Sequence, residues 1–187
     1  MKIQHQLLNS DLFIPQWNVK HLFLGTFNPQ GGDTVSYFYG RSRNQTWPTL
    51  SKIFKTELNP NNSDFFEKIK TLKIACMDMI CSVEAPENML SQILGNGYSD
   101  SKIINGYTFR EYNTANIMKI IDQNSGINVY STWGTGANLK EWKREILKID
   151  NNKHIIPLAS PSLVARVPLG TNKIDYIYQN WENSIIL

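Results

Sequence analysis

Apolar positions fall into short runs, each closed by a turn residue and separated from the next by a stretch with helical spacing. The run His21-Leu22-Phe23-Leu24 ends at Gly25 and predicts a buried parallel strand that leads into a loop. Ile74-Ala75-Cys76-Met77-Asp78-Met79-Ile80 predicts a second strand with an aspartate near its end. Ile127-Asn128-Val129-Tyr130-Ser131-Thr132 predicts a third, closed by the turn Gly134-Thr135-Gly136, and residues 153–158 a fourth. The first helical stretch, Pro48-Thr49-Leu50-Ser51-Lys52-Ile53-Phe54, has proline in its first turn. Residues 113–121 place Ile117, Ile120 and Ile121 on one side. Residues 139–149 are amphipathic, and residues 174–185 form a closing helix. Strands alternating with helices predict the α/β class, as a three-layer α/β/α sandwich around a short, mainly parallel four-stranded sheet. Residues 59–63 and 95–106 read as surface loops. With no repeat or linker in the chain, residues 1–187 are expected to be a single domain.

In an open parallel sheet, ligands bind beyond the carboxyl ends of the strands. The loops after the first and last strands are therefore the places to look for chemistry. The first holds Gly25-Thr26-Phe27-Asn28-Pro29-Gln30-Gly31-Gly32, then Tyr37-Phe38-Tyr39-Gly40-Arg41-Ser42-Arg43-Asn44-Gln45-Thr46-Trp47. Stacking rings, amides and cations lie within two dozen residues of one another. The second is Pro157-Leu158-Ala159-Ser160-Pro161-Ser162-Leu163-Val164-Ala165-Arg166-Val167, a Ser-Pro-Ser turn followed by two apolar residues and an arginine. Taken singly, the first describes a surface loop over a buried tryptophan, and the second a loop with Leu163 and Val164 packed beneath it.

Composition narrows the classes. Hydrophobic residues are 41% and charged residues 19% of 187, a globular balance. The formal charge of +3 is a mild basic excess that suits brief contact with phosphates and proves nothing by itself. Cys76 and Cys81 are the two cysteines, so a four-cysteine iron–sulfur cluster is impossible and buried free thiols in a reducing compartment are expected. No apolar run approaches the roughly 20 residues of a membrane helix. A cytoplasmic protein without membrane contact is expected, with monomer as the default. His5, His21 and His154 show no spacing that suggests a metal site or a triad, and neither metal nor cofactor is expected.

Taken together, the two segments resemble the motifs of the uracil-DNA glycosylase superfamily. The strand ending at Gly25, the amide-proline pair Asn28-Pro29, the aromatic stretch and Asn44-Gln45-Thr46-Trp47 are similar to its first motif. Residues 160–166 are similar to its second, a short turn with an apolar wedge. The likeness spans residues 22–181. Leu24-Gly25-Thr26-Phe27, the run from Tyr39 to Trp47 and Ser160-Pro161 look most like the hypoxanthine-DNA glycosylase branch. Asn28-Pro29 and residues 161–167 are similar to the mismatch-specific uracil/thymine branch.

The resemblance implies an enzyme that flips a deaminated or mismatched base out of single- or double-stranded DNA. Such an enzyme hydrolyses the N-glycosidic bond with water. It implies Asn28 or Asn44 as the amide that holds the water; one more residue separates Gly25 from Asn28 than the mismatch branch shows. Gly25, Thr26, Phe27, Pro29, Tyr39 and Ser160 would form the base pocket, with Tyr39 stacked on the base and Ser160 facing the leaving group. In the turn that begins with Pro161 and Ser162, Val164 or Leu163 would fill the hole left by the flipped nucleotide; Arg166 would touch a phosphate or support the loop, and Arg41 and Arg43 would contact the DNA backbone. A serine is a weaker donor to an anion than imidazole or amide, so a slow enzyme or a different base preference is expected. The alternative is a non-catalytic nucleic-acid-binding protein on the same fold.

Overall fold

A computed structural model describes residues 1–95, 98–105, 109–133, 140–163 and 165–187. Its strands are β1 (Lys2–Gln4), β2 (His21–Gly25), β3 (Ile74–Asp78), β4 (Ile80–Glu84), β5 (Phe109–Tyr112), β6 (Asn128–Ser131) and β7 (Ile155–Pro157). Its helices are α1 (Thr46–Ile53), α2 (Phe65–Thr71), α3 (Asp100–Asn105), α4 (Thr114–Gln123), α5 (Lys140–Asp150) and α6 (Lys173–Ser184), with a 3₁₀ helix at Glu87–Gln92. The fold is α/β. A four-stranded sheet of order β3-β2-β6-β7 is parallel throughout, and a second, antiparallel sheet has the order β1-β4-β5.

Every residue of β2 and β3 is buried, as continuous apolar runs require of a strand covered on both faces. Alternation along β2 divides the interior. Leu22 and Leu24 join one apolar cluster with Ile117, Ile121 and Trp142. Phe23 joins the other with Trp47, Phe65 and Trp181, and stacks on Tyr130 and Trp181 at 4.9 and 5.7 Å. Among the described residues no helix is long and apolar enough to cross a membrane. Cys76 and Cys81 are free and buried.

The apolar run 74–80 is not one strand. β3 ends at Asp78, and Ile80 opens β4 in the other sheet. The N–H groups of Met79 and Ile80 donate to the carbonyls of Gly25 and Thr26, so the chain stays tied to the exit of β2 while it changes sheets. A run of buried residues looks the same in one sheet or across two, so spacing could not reveal the break. The stretch 95–106, expected to be a loop, contains α3. The short strands β1 and β5 and the seven-residue α2 also lie where no element was expected. Elsewhere the expected strands and helices stand within a few residues of their predicted ends.

The order of the parallel sheet decides where a ligand can sit. From β2 the chain moves to β3 on one side, and from β6 to β7 on the other. The carboxyl ends of β2 and β6 therefore lie where the strand order reverses, the place at which an open parallel sheet offers a crevice for a ligand.

Candidate functional site

A cavity of about 730 Å³ occupies that crevice, a size typical of small-ligand sites. Both motif-bearing loops reach it. Backbone groups of Asn44 and Ser162 form a bridge, and the Gln45 N–H donates to the Pro161 carbonyl at 2.9 Å. Trp47 anchors the first loop from below: its ring is buried edge-on against Phe65 at 4.8 Å and its Nε1–H donates to the Phe38 carbonyl at 2.8 Å. Segments more than a hundred residues apart thus form one wall.

At the floor, Gly25 and Asp78 are paired neighbours at the ends of β2 and β3. A methyl group on Gly25 would stand 2.1 Å from Asp78 Oδ1 and 2.8 Å from the Tyr39 hydroxyl, so only glycine fits. Tyr39 holds a φ of +57°, a strained value for a residue with a Cβ. Thr132 Oγ1 donates to the Leu24 carbonyl, which leaves it to accept the Tyr39 hydroxyl at 2.9 Å. Burial first, then the charge of Asp78, pushes the Tyr39 phenol well above its ordinary range, so it stays a neutral donor.

Asp78 Oδ2 lies 2.9 Å from His5 Nε2. His5 Nδ1 accepts the Leu7 N–H at 3.0 Å, so the ring proton sits on Nε2 and points at the carboxylate. Phe13, Phe27 and Phe38 enclose the imidazole with ring centroids at 5.1, 5.9 and 5.3 Å. At the rim stand Asp100, Tyr98 and Arg41. The Arg41 guanidinium lies over the Tyr98 ring at 4.7 Å, and its Nε and Nη2 are buried without a hydrogen-bond partner among the described residues. Asp100 keeps one side open to solvent, yet the protein crowded around it, and then Asp78, push its carboxyl up to about 7, with Arg41 opposing.

That shift has a sign. The folded state holds the Asp100 proton to higher pH than the unfolded chain. Its contribution to stability is therefore full below pH 3.8 and is lost as pH rises toward 7. Asp100→Asn should flatten this part of the pH profile and leave the variant relatively more stable at pH 8. Melting curves of both proteins between pH 4 and 8 check this, and parallel profiles would refute it.

The cavity wall gathers most of the residues singled out by sequence: Gly25, Thr26, Phe27, Asn28, Tyr39, Arg41, Arg43, Asn44, Ser160, Pro161 and Ser162. Asn28 is half-buried, and its side-chain amide makes no hydrogen bond among the described residues. Asn44 differs, because its Oδ1 accepts the Thr46 N–H at 2.9 Å at the start of α1. Three expected residues stand off the wall. Pro29 is buried in a backbone bridge with His5. Leu163 is half-buried, with its carbonyl accepting Lys173 Nζ at 2.6 Å, and Arg166 is exposed outside the cavity. Val164, Gly134, Thr135 and Gly136 lie outside the described residues.

Spacing missed His5, Tyr98, Asp100 and Thr132, and left Asp78 without a role. Only the position of Asp78 at the end of a strand beside Gly25 could have marked it. Among the described residues no three His, Cys, Asp or Glu side chains come together in a way that would hold a metal ion. Compared with protein-family models, curated proteins and solved structures, the chain matches none.

Proposed function

We propose that this protein is a DNA glycosylase that removes a deaminated or mismatched base, on a three-layer α/β/α sandwich like that of the uracil-DNA glycosylase superfamily. One observation carries the reading: the two motif segments, remote in sequence, line a single cavity at the carboxyl ends of the parallel strands. A cavity of about 730 Å³ is roomy for a flipped nucleobase. Its wall offers what hydrolysis of an N-glycosidic bond needs. The free amide of Asn28 can donate through its NH₂ to a base carbonyl and hold a water through its oxygen. The half-buried ring of Tyr39 gives flat apolar surface, and Ser160 adds a hydroxyl. Arg43, exposed at the mouth, and Arg41, whose Nε and Nη2 have no hydrogen-bond partner among the described residues, suit phosphate or carbonyl oxygens. Because Asn44 Oδ1 serves its own helix, the catalytic amide on this reading is Asn28. The two free thiols suit a cytoplasmic setting.

The test is a set of duplexes, each with a single uracil, hypoxanthine, xanthine or mismatched thymine, incubated with protein and then treated with alkali. Strand breaks at one lesion are expected, slowed strongly by Asn28→Ala and little by a change at Asn44 that leaves the fold intact. Intact strands for every lesion, with DNA still bound, would replace this reading with a non-catalytic binding protein on the same fold.

A further inference from the structure

We propose that Asp78 is the base that takes the proton from the hydrolytic water, and that His5 is the positioning residue that holds it for that task. The inference rests on the glycosylase reading and assigns the step that Asn28, a neutral amide, performs poorly.

The geometry separates the two oxygens of this carboxylate. Oδ2 is held by the Nε2–H of His5, whose other nitrogen is fixed by the Leu7 N–H. Oδ1 lies against Gly25, beside the Tyr39 hydroxyl, and accepts no hydrogen bond among the described residues. The residue is only 5% exposed and is part of the cavity lining. A buried carboxylate oxygen without a donor is costly unless something in the cavity supplies one, and a water is the smallest group that can. The three phenylalanine rings around His5 exclude solvent from behind, so the His5–Asp78 bond is not diluted by competing water. A purely structural tie between the N-terminal segment and β3 would not need an oxygen left without a donor among the described residues, nor a glycine to make room for it.

The step balances. The water oxygen bonds to C1′ of the deoxyribose as one of its protons passes to Asp78 Oδ1. The C1′–N bond breaks, and its electron pair leaves with the base. That base takes up a proton, returned from Asp78 through solvent, giving free base and an abasic sugar. Before proton transfer, the carboxylate charge also faces the positive charge that develops on the sugar.

Single-turnover base release on the lesion duplex tests the assignment. Asp78→Asn keeps the shape and should slow release by about 100-fold or more while duplex binding stays within a few-fold. Asp78→Ala should be equally slow and partly restored by added formate, which can occupy the vacated space; this variant decides the matter if the asparagine form does not fold. His5→Phe should lower the release rate without weakening binding, and His5→Gln, which keeps an N–H where Nε2 stands, should recover much of the loss. An Asp78→Asn protein that releases base at the wild-type rate, or an alanine variant deaf to formate, overturns the assignment and leaves the glycosylase reading standing. A wild-type protein inert on every lesion overturns both.

Discussion

Alanine at Gly25 should nearly abolish base release while leaving a folded protein. The new methyl would stand 2.1 Å from Asp78 Oδ1, 2.8 Å from the Tyr39 hydroxyl and 3.2 Å from Tyr39 Cζ. The backbone cannot retreat, because Gly25 is paired with Asp78 in the sheet and its carbonyl accepts the Met79 N–H at 3.0 Å. The side chains must move instead. Asp78 can swing away only by leaving His5, and Tyr39 only by leaving Thr132. Overpacking of this kind costs about 1–3 kcal/mol, a tolerable loss for a domain of this size. The catalytic loss is larger, because a misplacement of about 1 Å at reacting groups can cost about 100-fold by itself. Denaturant melts should therefore show a modest shift, and single-turnover release on the lesion duplex a fall of at least about 100-fold. Release at the wild-type rate would mean that neither Asp78 nor Tyr39 needs its present place.

The same glycine shows how much of the molecule is legible in its sequence. Gly25 stands out at once, because it ends an apolar run and opens a loop of amides and rings. The strand, its burial and the loop follow from local pattern. So do α4 and α5, carried by helical spacing, and α1, marked by a proline in its first turn. The partner that makes Gly25 necessary is not local. Asp78 lies 53 positions later, and the only hint of its place is that an aspartate stands near the end of an apolar run. His5, 73 positions from Asp78, reaches it because β1 pairs with β4, and neither strand has a pattern strong enough to predict. Asp100 and Tyr98 stand in and beside α3, a helix too short to leave a periodic trace. Most residues chosen by motif lie on the cavity wall, whereas those that complete it electrostatically come from elements held together only by tertiary pairing. Leu163 and Arg166 show the converse. Their motif is plain in the sequence, yet Leu163 is half-buried and Arg166 stands outside the cavity.

Removing Arg41 should move stability and activity in opposite directions. Its Nε and Nη2 are buried with no partner among the protein groups described, and an unsatisfied buried donor costs about 1–3 kcal/mol. Methionine keeps a similar length of apolar stem and carries no donor. Arg41→Met gives up the contact over Tyr98, worth about 0.5–1 kcal/mol, and the partial relief that Arg41 gives Asp100. The balance favours the variant, and its melting temperature should rise. Its affinity for lesion DNA should fall by roughly 10- to 100-fold, because a charge-assisted bond to a ligand oxygen is worth about 1.5–3 kcal/mol. Salt then tells which oxygen the guanidinium meets. If it meets a phosphate, the dependence of log affinity on log salt should become shallower by about one unit in the variant. If it meets a carbonyl of the flipped base, that slope should hold while the preference among lesions changes. A purely structural arginine would behave otherwise, since its loss would lower stability and leave binding untouched. Thermal melts and salt-titrated binding on the same two proteins therefore separate a donor kept for the fold from one kept, against the fold's interest, for a ligand.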